Sequence, residues 1–285
     1  MEIVQIYPTP ALAAMTTSRR SGQKQPISGS TSLTTLSLSK GRQSALSTLI
    51  AIPVFNEFEY VNDVLNEVHK YSDNILAVDD GSTDGTSKEL ERHNYIRIIS
   101  HKENQGYGQS LIDAFNFAVC HKFDWLITMD CDCQHQPLYI PNFYCEIEKE
   151  DADIISGSRY LPGINSGSIP PPRDRVAINK KITRILNRFM AVRLTDSFCG
   201  FKAYRVDAIL KLDLTEKGYG FPLQLWIRAN RARLRIREIP VPLIYHDPKR
   251  NFGGKFEKPE VRFDYYMQII RRELGHNADK NAAGT

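Results

Sequence analysis

Two aspartates one residue apart, Asp130 and Asp132, follow the apolar run WLITM in the stretch TMDCDCQHQP. Like charges this close repel unless something positive lies among them. Magnesium and manganese take oxygen ligands, commonly from one or two carboxylates, and leave the rest of their shell to water and substrate phosphate. Residues two apart in an extended segment face the same side. Asp130 and Asp132 are therefore expected to grip one Mg2+ or Mn2+, with Gln134 adding a carbonyl oxygen and His135 adjacent. Cys131 and Cys133 alternate with them and are expected to point the other way as small packing residues, since no second cysteine pair at zinc spacing exists.

Such a pair needs rigid elements behind it. From STLIAIPVFNE onward, apolar runs of strand length alternate with stretches of helical period. TLIAIPV, NILAVDD, IRIIS, WLITMD and ADIISGS are predicted strands; EYVNDVLNEVHKY, SKELERH, GQSLIDAFNFAVCH and IPNFYCEIEKE are the intervening helices. Runs buried on both faces, alternating with amphipathic helices, imply an α/β fold: a Rossmann-like, mostly parallel sheet covered on both sides. Beyond a Gly/Pro/Ser-rich loop at 160–174, expected to be a lid, come a basic helix (175–192), an extended DSFCGFKAYR, a helix through PLQLWIRANRA, the strand LRIREIPVPLIYH and a last helix, EVRFDYYMQIIRREL. This gives a Ser/Thr-rich disordered tail at 1–46, a main domain at 47–258 that includes a small strand/helix extension, and a C-terminal helix and tail at 259–285.

Ligands of open parallel sheets sit beyond the carboxyl ends of the strands. The residues there are acidic: Glu57 after the first strand, Asp79, Asp80 and Asp84 after the second, Asp130 and Asp132 after the fourth. Asp84, in STDGT, also reads as a turn and cap residue.

The 285 residues are 41% hydrophobic and 25% charged, ordinary for a globular protein, and the net charge of +4 does not call for nucleic acid. Five cysteines, an odd number, read as reduced thiols. No apolar stretch reaches the roughly 18 residues of a membrane span, and the N-terminus lacks a secretory signal pattern. The expectation is a cytoplasmic protein, at most peripheral to a membrane.

IPVFNE, VDDGSTDGT, NQGYGQSLIDAF, MDCDCQHQP, SGSRY, DSFCGFKAYR and GYGFPLQLWIRA stand in the order and spacing of family-2 glycosyltransferases with the GT-A fold. The chain most resembles their dolichyl- or polyprenyl-phosphate mannosyltransferase and glucosyltransferase branch, over about residues 48–250. The resemblance implies a nucleotide-binding role for Pro53, Phe55, Glu57, Asp79 and Asp80, and a metal and diphosphate role for Asp130, Asp132 and Gln134. Cys131 and Arg250 would also contact the donor, GDP-mannose or UDP-glucose, and Arg159 would meet a donor or acceptor phosphate. It further implies inverting, metal-dependent hexose transfer to a polyprenyl phosphate.

Many relatives carry Glu where this chain has Gln224, a residue placed among the catalytic ones. Gln cannot act as a base, which fits a phosphate acceptor; a glycan or small-molecule hydroxyl acceptor would need another base, with Asp196 the candidate. A catalytically silent sugar-nucleotide module is a further alternative, as is a nucleotidyltransferase, although the sequence has no Gly-rich, Lys/Arg-bearing N-terminal phosphate loop to support it. Arg173, Arg175, Lys202, Arg250 and Lys255 suit acceptor phosphate, although RNFGGK departs from the R-x-x-G-x-S-K loop of relatives. In INKKITRILNRFMAVRL, Ile182, Ile185, Leu186, Phe189 and Met190 share a helical face with Lys180, Lys181, Arg184 and Arg188 elsewhere. That basic amphipathic pattern either docks on an anionic membrane or packs on the domain.

Overall fold

The structure is a computed structural model that describes residues 4–5, 46–164, 169–245 and 254–282. The tail at 1–46 lies outside the described residues apart from Val4–Gln5 and Leu46, and residues 165–168 of the 160–174 loop also lie outside them.

An eight-stranded sheet forms the centre, in the order β1-β4-β3-β2-β5-β7-β6-β8. The strands are β1 (Val4–Gln5), β2 (Thr48–Val54), β3 (Ile75–Asp79), β4 (Arg97–Ser100), β5 (Trp125–Thr128), β6 (Ile154–Ser158), β7 (Lys202–Arg205) and β8 (Ile236–Pro240). The helices are α1 (Val61–His69), α2 (Thr86–Leu90), α3 (Tyr107–Cys120), α4 (Ile140–Ile147), α5 (Arg173–Leu186), α6 (Val206–Ile209), α7 (Phe221–Arg231) and α8 (Pro259–Ala282). β4, β3, β2 and β5 run parallel. β7 enters antiparallel between β5 and β6, and β8 pairs parallel with β6. The end of DSFCGFKAYR, Lys202–Arg205, thus becomes a central strand, and β8 extends the same sheet.

Alternation along the strands builds two cores. From β2, Leu49 and Ala51 face a core made with α3, α5, α7 and α8, while Ile50, Ile52 and Val54 face one made with α1, α2 and α4. Burying each Leu, Ile or Val side chain among them contributes about 1.5–3 kcal/mol. Helix α8 belongs to the first core through Tyr266, Ile269 and Ile270, so the division at 258/259 is not a packing boundary.

The basic helix ends at Leu186, where the Asn187 amide closes a turn on the backbone of Leu194, accepting at 2.9 Å and donating at 2.8 Å. Its apolar face packs on the domain: Ile182 and Leu186 are fully buried, Met190 is buried and Ile185 lies against the core. Phe189 alone of those five is exposed. That face joins the first core, where α5 packs against α8.

Candidate active site

The carboxyl ends of β2, β3 and β5 meet the loops before α3 and α7 and the side of α8 around a cavity of about 510 Å3. Pro53, Phe55 and Glu57 line it after β2, and Asp80 after β3. Asp130, Cys131, Asp132 and Gln134 line it after β5, and Arg159 after β6. These predicted residues are brought together.

The turn that presents the aspartates is not extended. β5 stops at Thr128, and Cys133 takes a left-handed φ of 58°. Three contacts hold the turn. The Asp130 amide N–H donates to His135 Nδ1 at 3.0 Å, the Gln134 N–H to Asp132 Oδ1 at 3.0 Å, and the Tyr107 hydroxyl to Asp130 Oδ1 at 3.0 Å. His135 is buried, and burial pushes its pKa down to about 4. A neutral ring that accepts at Nδ1 carries its proton on Nε2, which faces Cys199 Sγ at 3.7 Å. His135 therefore shapes the turn from behind. Cys131 packs into the second core while bordering the cavity.

Several other predicted residues sit elsewhere. Asp79 is buried under the DDGS turn, accepting from the Ser82 N–H at 3.0 Å and the Ser87 hydroxyl at 2.5 Å, and does not line the cavity. Gln224, placed among the catalytic residues, is fully buried between α7 and α8. Its Oε1 accepts from the Thr215 and Glu216 N–H groups at 2.7 and 2.8 Å, and its Nε2 donates to Glu273 at 2.7 Å. An amide serves there because the site needs two acceptor lone pairs and a donor at once. Lys202 is buried behind the cavity, donating to the Cys199 carbonyl with its ammonium 5.4 Å from the Trp226 ring centre, and burial lowers its pKa. Arg173 is exposed and off the cavity, whereas Arg175 lines it. Arg250 lies outside the described residues, as does the Lys255 side chain.

Asp196, the candidate base for a hydroxyl acceptor, is fully buried and engaged in an ion pair. Arg159 grips it with Nε at 2.6 Å and Nη2 at 2.9 Å, and Asn179 donates to it at 2.8 Å. Burial opposes its ionisation, but the Arg159 guanidinium and these hydrogen bonds prevail and hold the carboxyl well below the usual range. Its role is to fix Arg159, whose guanidinium borders the cavity.

Sequence reading passed over Tyr107, although NQGYG contains it, and the aromatic wall opposite the aspartates. Tyr107 stacks on Tyr219 at 6.2 Å, Tyr219 meets Phe256 edge-on at 6.0 Å, and Phe256, Tyr265 and Tyr266 continue the row. These come from four chain segments, so no local spacing marks them.

A mixed sheet with paired carboxylates after a central strand, opening on a cavity lined by carboxylates and aromatic rings, is the build of a GT-A glycosyltransferase. Residues 49–213 match the model of Glycosyl transferase family 2, and the chain belongs to that family. It is 29% identical over 209 residues to an undecaprenyl-phosphate mannosyltransferase of Micrococcus luteus, covering 70% of this chain and 84% of the relative. It is also 29% identical over 254 residues to a UDP-N-acetylglucosamine–dolichyl-phosphate N-acetylglucosaminyltransferase of Methanococcus voltae, covering 81% and 97%. The fold matches glucosyl-3-phosphoglycerate synthase of Mycobacterium tuberculosis, solved with Mn2+ and UDP, with a TM-score of 0.63 at 16% identity over 81% of each chain.

Proposed function

We propose that this glycosyltransferase moves a hexose, mannose or glucose, from a nucleoside-diphosphate sugar to a polyprenyl phosphate, with inversion. The observation that carries this reading is the division of one cavity. Its lining carboxylates, Glu57, Asp80, Asp130 and Asp132, all follow β2, β3 and β5, whereas Arg175 and Arg262 act on Tyr266 of the aromatic wall that Tyr219, Phe256 and Tyr265 complete, and Arg159 follows β6. The first end suits a nucleotide and metal, the second an anionic head on an apolar tail. The names of the relatives carry undecaprenyl phosphate and dolichyl phosphate, which supports the acceptor class.

The residues at the first end fit a divalent ion. Asp130 and Asp132 offer hard oxygen donors, and among the described residues no three His, Cys, Asp or Glu side chains cluster to hold a metal alone. That suits an ion whose shell the donor diphosphate completes, with Gln134 beside it. Bound there, Mg2+ or Mn2+ would supply charge stabilisation for the leaving diphosphate. The chain does the rest. Tyr107 and His135 hold the Asp130 end, Arg159 is held rigid by Asp196 to orient phosphate, and the aromatic wall excludes water. A phosphate monoester is largely ionised at neutral pH, its second pKa being about 6, so it attacks without a protein base.

Among the described residues no helix is long and apolar enough to cross a membrane. Contact with an anionic membrane would fall to exposed Lys180, Lys181, Arg184, Arg188 and Phe189. Flotation with anionic vesicles at low salt tests this, and no binding rejects it.

The deciding experiment is a screen of GDP- and UDP-sugars with Mg2+ or Mn2+, with and without a short-chain polyprenyl phosphate. Product formed only with the lipid phosphate supports the reading; transfer to hydroxyl acceptors alone overturns it. Asp132→Ala should lower turnover by about 100-fold or more with an unchanged circular dichroism spectrum.

A further inference from the structure

Behind the nucleotide end of the cavity, His101 stands between two carboxylates. Its Nδ1 lies 2.6 Å from Asp80 Oδ1 and its Nε2 lies 2.9 Å from Asp113 Oδ2. Its side chain is 6% exposed. An ionised carboxylate only accepts hydrogen bonds, so both ring nitrogens must donate, and a ring carrying two N–H groups is an imidazolium. The backbone anchors the arrangement: the His101 N–H donates to the Asp79 carbonyl at 2.9 Å. Gln109 Nε2 lies 3.1 Å from each Asp113 oxygen.

Asp80 is nearly saturated from behind. Besides His101, its Oδ1 accepts from the Gln105 N–H at 2.8 Å and its Oδ2 from the Gly106 N–H at 2.9 Å. A carboxylate has about four lone-pair sites; three are taken by the protein, and the fourth is what Asp80 offers to the cavity it lines.

We infer that His101 is a positioning residue of the donor site, an imidazolium clamped between Asp80 and Asp113 that aims the last Asp80 lone pair at an N–H on the edge of the nucleobase. The inference rests on the reading of this end of the cavity as the nucleotide site. The charged groups acting on the ring are Asp113 from α3 and Asp80 from the end of β3; their hydrogen bonds outweigh burial and raise it to about 9. Loss of the proton leaves one N–H for two carboxylates and turns a ring lone pair towards the other.

Asp113→Asn reads the ring's charge without touching the cavity. Removing one of two flanking charges should lower the ring pKa by about 1–2 units, read from long-range 1H–15N spectra of the histidine-labelled protein and assigned with His101→Gln. The neutral ring of that variant still donates from Nδ1 to Asp80 while the introduced amide donates to Nε2, so the hydrogen bond to Asp80 is tested at His101 itself. Calorimetry with GDP and UDP in Mg2+ at pH 7 should show His101→Leu binding the tighter-binding nucleotide about 3–10-fold more weakly than wild type, the loss of one hydrogen bond. His101→Gln, whose amide can donate to Asp80, should stay closer to wild type. A wild-type ring already neutral at pH 8, or His101→Leu binding equal to wild type, overturns the inference. Asp80→Asn separates the two levels. If it leaves nucleotide affinity unchanged, the nucleotide reading of Asp80 fails; if it weakens binding while His101→Leu does not, the role of His101 alone fails.

Discussion

Gly200 should be indispensable to turnover although it touches no substrate. A Cβ placed there would lie 2.4 and 2.6 Å from the two Asp130 carboxylate oxygens and 2.7 Å from the carbon between them. Ordinary contact begins near 3.4 Å, so Gly200→Ala must drive the carboxylate back by about 1 Å. The retreat breaks the 3.0 Å hydrogen bond from Tyr107 and takes the Asp130 carboxylate out of its present position. Gly200 lies outside the left-handed region, so alanine fits its backbone without strain. A displacement of about 1 Å at a reacting site costs about 100-fold in rate, or about 2.7 kcal/mol in barrier. Steady-state kcat/KM with the active donor, together with Mn2+ affinity by calorimetry, measures the effect, and thermal unfolding checks that the fold is intact. In an Asp130→Ala background the same substitution should add nothing, because both act through one side chain. Wild-type turnover and Mn2+ affinity in Gly200→Ala would refute the reasoning.

Three further outcomes are expected. Gln224→Glu should not create a catalytic base: it sets a carboxylate 2.7 Å from Glu273 in place of a donor, and should cost on the order of 2 kcal/mol despite the nearby arginines. That is read as a fall in Tm with no gain in hydroxyl transfer. His101, raised to about 9 in the fold, contributes stability that is complete below its unfolded value near 6.5 and is lost as pH rises through about 9. Denaturant midpoints should therefore fall across that window in wild type and not in His101→Gln. His135 works in the opposite sense: held down to about 4, it makes the fold lose stability as pH falls from about 6.5 towards 4, a slope that His135→Asn should flatten.

Much of the architecture was legible along the chain. Runs such as TLIAIPV, ILAVD and WLIT are buried on both faces, and that requirement writes itself into consecutive residues. The acidic strand ends were legible for the same reason, since a strand delivers whatever follows it to the sheet edge. What each polar group does there was decided by partners far away in the chain. Asp196 looks like a base until Arg159, 37 residues distant, takes both its oxygens. Gln224 looks like a catalytic position until Glu273, 49 residues on, shows that it knits two helices together. Asp80 gains its orientation from His101, 21 residues later, and Asp130 from Tyr107, 23 residues earlier. Local periodicity and strand-end chemistry are properties of neighbours and can be read from sequence. Whether a carboxylate is spent or available depends on which side chains the packed sheet brings within 3 Å, and only the tertiary structure decides that.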